Sequence, residues 1–428
     1  MRRPSDSPVS LREAVWFWLK LGCISFGGPA GQIALMHREL VEQRAWIAES
    51  TFLHALNYCM LLPGPEAQQL ATYLGWRLHG TWGGILAGTL FVLPACCLLV
   101  LLSWLYLAQG QHPWLLAAFY GIKPAVTVIV AQAAWRIGQR SLTTPALTSI
   151  AVAAWLALAA VGLGFPWVIG GAALFGLWAG RYRPAFLGLQ DGLTVGEGMG
   201  LTNWRPQLKH MLRIGGLGVG LWAASLFLLH RTQPALLGEM GGFFTRAALL
   251  TFGGAYAVLP YVQQAVVDQF GWLDAAQMID GLALGESTPG PLIIIVAFVG
   301  FLAAWQQAIF GPDALLLAGV SGALVATWFT FLPSFVFILV GGPVIEATQG
   351  RLGVRAPLTA ITAAVVGVIA NLALFFAREV FWTQGHVDLG AVGLAALAAV
   401  ALFRLRLSVL PVLAGAALGG LLLRGALA

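Results

Sequence analysis

The sequence is poor in charge. Only 9% of its 428 residues are Asp, Glu, Lys or Arg, too few to cover the surface of a water-soluble protein of this size. Cysteine is scarce as well. Cys23, Cys59, Cys96 and Cys97 lack the C-x-x-C spacing of a redox or zinc motif. They lie in apolar surroundings and read as packing residues. The seven histidines are scattered, and no His/Asp/Glu group has metal-ligand spacing. No G-x-x-x-x-G-K-[ST] loop is present, so there is no P-loop nucleotide site to drive work. No nucleophile stands with a base beside it, which argues against an enzyme. Nothing calls for a cofactor, a metal or a nucleic-acid partner. The alternation of a membrane β-barrel is missing too.

Hydrophobic length is what the chain has instead. Apolar residues make up 59% of it, and runs near 20 residues recur, as in GILAGTLFVLPACCLLVLLSWLYL (84–107) and ALTSIAVAAWLALAAVGLG (146–164). These are membrane-spanning lengths, and the fold class they predict is an all-α polytopic membrane protein. The N-terminus, MRRPSDSPVSLREAVWFWLKLGC, is basic but has no clean apolar core or small-residue cleavage site. It reads as a retained cytoplasmic end.

The chain also repeats itself. KLGCISFGGPAGQIALMHRELVEQRAWI (20–47) returns as RAALLTFGGAYAVLPYVQQAVVDQFGWL (246–273), 226 residues later. At that offset Phe26-Gly27-Gly28 falls on Phe252-Gly253-Gly254, Trp46 on Trp272, and Pro63-Gly64-Pro65 on Pro289-Gly290-Pro291. After an insertion of 13 residues, Leu93-Pro94 matches Leu332-Pro333. Two homologous repeats are therefore expected, over 1–183 and 240–428. Between them, 184–239 holds a cytoplasmic linker and one extra transmembrane helix.

That extra helix can invert the second repeat. With the N-terminus inside, 17 Lys and Arg residues fall on cytoplasmic segments and three, Arg231, Arg378 and Arg424, on external ones. The external 262–288 segment has no base but carries Asp268, Asp274, Asp280 and Glu286. The positive-inside rule favours an inverted-topology repeat with this count.

Three cations remain inside apolar segments: Lys20, Lys123 and Arg246. A cation at membrane depth is a functional candidate, with snorkelling to the headgroups as the plain alternative. Lys20 and Arg246 are repeat mates. The glycines and prolines would break helices near mid-depth, where irregular backbone must line a cavity or be buried in protein. Pro65 and Pro29 suit the first position of a new helix. Each break then leaves free N–H groups at a positive helix end, which attracts anions. Such broken or re-entrant helices hold the substrate in inverted-repeat transporters. The expected site is one for an oxyanion. Glu66 is either a dipole-stabilised acid or a carboxylate whose proton is linked to anion occupancy; Glu286 is a weaker candidate. The polar residues Glu66, Gln68, Gln69, Thr72 and Tyr73 stand in the first repeat, where the second has PLIIIVAF.

F-G-G-P-A-G-Q, R-E-L-V-E-Q-R-A-W-I, L-P-G-P-E-A-Q-Q-L-A-T-Y-L-G, then T-F-G-G-A-Y-A-V-L-P-Y-V and T-P-G-P resemble the chromate ion transporter family in its long two-domain form. The resemblance spans nearly the whole chain. It implies a multi-pass exporter of chromate in the bacterial inner membrane that confers chromate resistance, with sulfate as a related oxyanion. The residues it carries over are Phe26, Gly27, Gly28, Pro29, Gln32, Arg38, Trp46, Pro63, Gly64, Pro65, Glu66 and Gln68, with Phe252, Gly253, Gly254, Pro289, Gly290 and Pro291. Lys20 and Arg246 join the candidate site on charge alone. The alternatives are a broader oxyanion exporter or exchanger, or a membrane protein that transports nothing. Proton coupling and a homodimer stay open as further partners beside the lipid bilayer.

Overall fold

The computed structural model describes residues 9–110, 112–188, 205–232, 235–348, 355–383 and 385–425. The core of the expected linker, 189–204, lies outside them, as do Arg2, Arg3 and Arg351. Among the described residues there are sixteen α-helices and one short antiparallel hairpin, β1 (Trp382–Thr383) with β2 (His386–Val387). Five helical stretches are long and apolar enough to cross a membrane: Glu66–Gln109, Pro113–Ser141, Met211–Arg231, Pro312–Gly342 and Ala356–Phe381. The all-α polytopic class stands.

The chain folds as two compact units, each drawn from both repeats. Unit 1 comprises Met1–Val100, Thr194–Ala255 and Thr288–Val354; unit 2 comprises Leu101–Leu193, Tyr256–Ser287 and Arg355–Ala428.

In unit 1 the chain starts with α1 (Leu11–Ile24), α2 (Gly28–His37) and α3 (Glu49–Cys59). Ser10 caps α1 by accepting from the N–H of Glu13 at 3.2 Å. Next comes α4 (Glu66–Gln109), which is two helices joined at a break. His79 (φ −136°) and Gly80 (φ 64°) leave helical geometry. The arms then fold back on each other, because Gly75 and Gly83 have no side chain to hold them apart. Later in the chain α12 (Ile295–Gln306) and α13 (Leu315–Thr348) pack the same way, with Gly300 against the backbone of Gly322. The unit also holds α8 (Arg205–Thr232), whose Trp222 indole donates to Thr245 Oγ1 of α9 (Ala235–Leu249) at 3.0 Å. The outer side of α8 exposes Leu212, Leu217, Phe227 and Leu228, side chains that only lipid solvates without penalty.

Unit 2 contains the end of α4, then α5 (Pro113–Ser141), α6 (Pro145–Ala159), α7 (Phe165–Tyr182), α10 (Ala255–Gln263), α11 (Ala275–Ser287), α14 (Arg355–Phe381), α15 (Leu389–Ala399) and α16 (Val409–Gly425). The helices α14, α15 and α16 all pack on α5. Backbone meets backbone where Gly121 of α5 faces Gly420 of α16, and where Gly367 of α14 faces Ala151 of α6.

The repeat persists in local geometry. A π-helical turn covers Arg38–Gln43, and its counterpart covers Gln264–Gln269. Both are left by positive φ, at Ala45 (52°) and Gly271 (61°). The N–H of Trp46 then donates to Leu40 O and that of Trp272 to Val266 O, each at 2.8 Å.

Candidate functional site: the paired Gly-Gly and Pro-Gly-Pro loops

Unit 1 brings the four motif loops together in pairs. The N–H of Gly64 donates to Thr251 O at 2.7 Å, and the N–H of Gly290 donates to Ser25 O at 2.8 Å. Gly64 and Gly290 are repeat mates; so are Ser25 and Thr251. Each Pro-Gly-Pro loop of one repeat is thus bonded to the residue before Phe-Gly-Gly of the other. The prolines on either side of each glycine have no N–H to give, so the glycine carries the only donor of the tripeptide. Gly64 (φ 124°) and Gly290 (φ 101°) lie in backbone space that disfavours a side chain. Gln32 adds a third tie, donating its amide to Gly290 O and to Ser25 O, the latter at 3.3 Å.

The loops sit where the helices break. Gly27 (φ 92°) caps α2, which opens with Gly28 (φ 68°) and then Pro29, one position later than the first helical position expected for it. Gly253 (φ 81°) and Gly254 (φ 93°) separate α9 from α10. The helix α4 starts at Glu66, and Pro65 stands one residue before the position expected for it. Its carbonyl accepts from the N–H of Gln69 at 3.0 Å. The N–H groups of the first turn of a helix have no partner within it.

Polar side chains gather around the first-repeat loop. A Cβ on Gly64 would press into Ser334 Oγ of α13 and come within 2.7 Å of Gln69 Nε2. Gln69 donates to Pro63 O at 2.7 Å, and Gln68 donates to Thr72 Oγ1 at 3.0 Å. Gln68, Gln69, Thr72 and Ser334 are all fully buried. Yet Gln68 Oε1, Gln69 Oε1, Gln32 Oε1 and Ser334 Oγ have no hydrogen-bond partner. An unmet buried polar atom costs about 1–3 kcal/mol. Four of them in one unit mark positions where water or a polar ligand fits. The carboxylate of Glu66 lies 3.9 Å from where a Cβ of Gly254 would stand, so it faces the Phe-Gly-Gly turn of the other repeat.

The remaining candidates differ in exposure and partners. Lys20 and Arg246 are both exposed, and the Arg246 guanidinium donates to Gly242 O of its own helix at 3.3 Å. Arg38 is exposed. Trp46 packs edge-on to Phe17 at 5.1 Å, under the Arg44 guanidinium at 4.9 Å; this is a structural role. Phe26 is 38% exposed, while its mate Phe252 is half-buried. Pro289 and Pro291 are buried. Glu286, in unit 2, accepts from the hydroxyl of Tyr256. Cys59 and Cys96 are buried, whereas Cys23 and Cys97 are exposed. Two features escape the sequence: Ser334, which belongs to no motif, and the ion pair of Lys123 Nζ with Asp280 Oδ2 at 3.3 Å. The second leaves a signal. Two lone charges of opposite sign, each in its own apolar helix, are expected to find each other.

Apolar helices of membrane-spanning length and loops paired between the two repeats define a polytopic membrane protein built from a repeat. The family model for the chromate transporter matches residues 12–177 and 238–421, one copy on each repeat, and the chain belongs to that family. Its relatives include a chromate transport protein of Pseudomonas aeruginosa, 33% identical over 96% of this chain and 92% of that protein. A chromate transport protein of Cupriavidus metallidurans is 30% identical, over 96% and 93% respectively. A probable chromate transport protein of Synechococcus elongatus is 30% identical, over 86% and 85%. No solved structure matches the chain.

Proposed function

We propose that this protein carries chromate outward across the bacterial inner membrane, with its N-terminus in the cytoplasm, and so confers resistance to chromate. The reciprocal bonding of the two Pro-Gly-Pro loops carries the proposal. It joins loops of both repeats, and the unmet polar atoms of Gln68, Gln69 and Ser334 lie close to the start of α4. Free N–H groups there, with the Ser334 hydroxyl, are donors suited to an acceptor-only tetrahedral dianion. Glu66 would repel that dianion unless protonated, which links proton and substrate occupancy at this residue. The family and its relatives support chromate as the cargo. Sulfate has the same shape and charge, and a broader oxyanion exporter is the second candidate. Export needs no nucleotide: a dianion leaving an inside-negative cell gains about 4.6 kcal/mol per 100 mV.

The test is radiolabelled chromate and sulfate flux in proteoliposomes under an imposed potential. Chromate flux that saturates and follows the potential supports the proposal; no flux of either ion removes it. Inverted topology is supported by the basic-residue imbalance, and the reciprocal bonds need a two-fold relation between the loops. In a variant stripped of its four cysteines, a cysteine at Glu197 should label from the cytoplasm and one at Asp274 from outside. Labelling of both from one side would sink the inverted arrangement.

A further inference from the structure

Unit 2 holds a partly open cavity of about 150 Å³, lined by Tyr120 and Lys123 of α5, Ile279 of α11, Glu379 of α14, Asp388 and Arg424. Its rim is charged, yet part of that charge is already spent. Tyr120 donates to Asp388 Oδ1 at 2.8 Å, the N–H of Ala391 donates to the same oxygen at 3.0 Å, and the Arg424 guanidinium lies 4.3 Å from the centre of the Tyr120 ring. Lys123 is different. It lines the cavity, and its Nζ also reaches inward to Asp280.

Asp280 is 4% exposed. Its Oδ2 accepts from the Tyr106 hydroxyl at 2.9 Å and pairs with Lys123. Its Oδ1 is buried with no hydrogen-bond partner. A structural ion pair would be expected to satisfy both oxygens, because an unmet carboxylate oxygen out of water is costly. Here one oxygen is left free, and the counter-ion also lines a cavity with room for several waters. The repeat does not account for the pair. The mates of Asp280 and Lys123 are His54 and Thr362, so only one repeat has it. The charged and titratable groups around Asp280 are Lys123 from α5, Tyr106 from α4 and Asp274 just before its own helix; beyond Lys123 the cavity adds Tyr120, Glu379, Asp388 and Arg424.

We propose that Asp280 is a proton-binding site of this protein, reached from water through the unit 2 cavity, with Lys123 as the counter-ion that the proton replaces. A proton arriving from water forms an O–H bond at Oδ1, and the carboxylate becomes neutral. The ammonium of Lys123 then loses its partner and turns to the cavity, where water or an anion can take its hydrogen bonds. Proton binding itself does not depend on the transport function proposed above; its use in a transport cycle does.

The experiment separates the two. Infrared difference spectra of the purified protein between alkaline and acidic buffer report buried carboxyl groups as they take up protons, and chromate flux is measured on the same preparation. The expected result is a carboxyl band that titrates in the wild type and disappears in Asp280→Asn. Because Asp280→Asn strands the Lys123 ammonium, the paired variant Lys123→Met/Asp280→Asn is measured beside it, and the same band should be missing. Glu66→Gln should keep that band. If the wild type carries no chromate but the band behaves as described, the proton site stands and the transport proposal falls. A spectrum unchanged by both Asp280 variants overturns the site.

Discussion

The Pro63-Gly64-Pro65 and Pro289-Gly290-Pro291 loops have the same backbone and opposite surroundings. Both glycines adopt positive φ, and each donates to the other repeat. A Cβ on Gly64 would meet Ser334 Oγ; one on Gly290 would meet the Ala95 methyl at 2.6 Å. Ser334 and Ala95 are themselves repeat mates, at the second offset. After the first loop come Glu66, Gln68 and Gln69, and after the second come Leu292, Ile294 and Ile295. One loop is followed by polar side chains and the other by apolar ones, on a common scaffold. The repeat thus supplied the geometry twice, and the unmet polar atoms gather more densely at the first loop, with Gln68, Gln69 and Ser334, than at the second, where Gln32 alone reaches Gly290.

If the scaffold is shared, breaking either loop should be equally damaging. Gly64→Leu and Gly290→Leu each force a side chain into backbone space that L residues rarely adopt, and Gly290→Leu also meets the Ala95 methyl, which has no rotamer to move away. Both should reduce chromate efflux to background at matched membrane levels. Normal efflux from Gly290→Leu would show that the second loop is dispensable.

Exchanging the chemistry should separate the loops. Glu66→Leu gives the first loop the residue of the second and should lower efflux at least tenfold, whereas Leu292→Ala should stay within about twofold. Equal losses would deny the division between the loops. Smaller and sharper is Ser334→Ala. Its Oγ has no partner, so removing it should leave thermal stability unchanged or slightly raised. If the hydroxyl donates to the anion, half-saturation should rise about fivefold to tenfold, the worth of roughly 1–1.5 kcal/mol. Ala95→Ser should not change half-saturation. A stability loss without an affinity loss in Ser334→Ala would assign the hydroxyl to packing.

Much of this was legible because helix breaks announce themselves. Gly-Gly and Pro-Gly-Pro can hardly continue a helix, and a repeat of both in register marks the broken positions in advance. The division of α4 at His79-Gly80 falls just ahead of the apolar run 84–107 read from the sequence. What was not legible is which loop bonds to which. A backbone N–H leaves no trace in residue identity, so the exchange between Gly64 and Thr251 emerges only in three dimensions. Ser334 escaped for a related reason: one hydroxyl in an apolar run looks like any helix serine until the space opposite Gly64 is known. The partner of Lys123 lay 157 positions away, in a segment expected to be an external acidic stretch, whereas Asp280 is buried.

The smallest effect is expected at the two cations that the repeat singled out. Lys20 and Arg246 are mates, and a shared role at the anion site would make each worth about 1.5–3 kcal/mol of binding. Both side chains are exposed, however, and Arg246 already donates to its own helix. A long cationic side chain on an exposed helix face can lay its stem along apolar surface and put its charge at the headgroups. The symmetry is then a shared need for anchoring at equivalent depth. Lys20→Gln and Arg246→Gln should therefore leave half-saturation within about twofold, while lowering the amount of protein in anionic-lipid membranes more than in neutral ones. A rise of tenfold or more in half-saturation in either single variant, at matched protein level, would return that cation to the substrate site. The same rise in Lys20→Gln alone would extend the contrast between the two repeats from their loops to their charges.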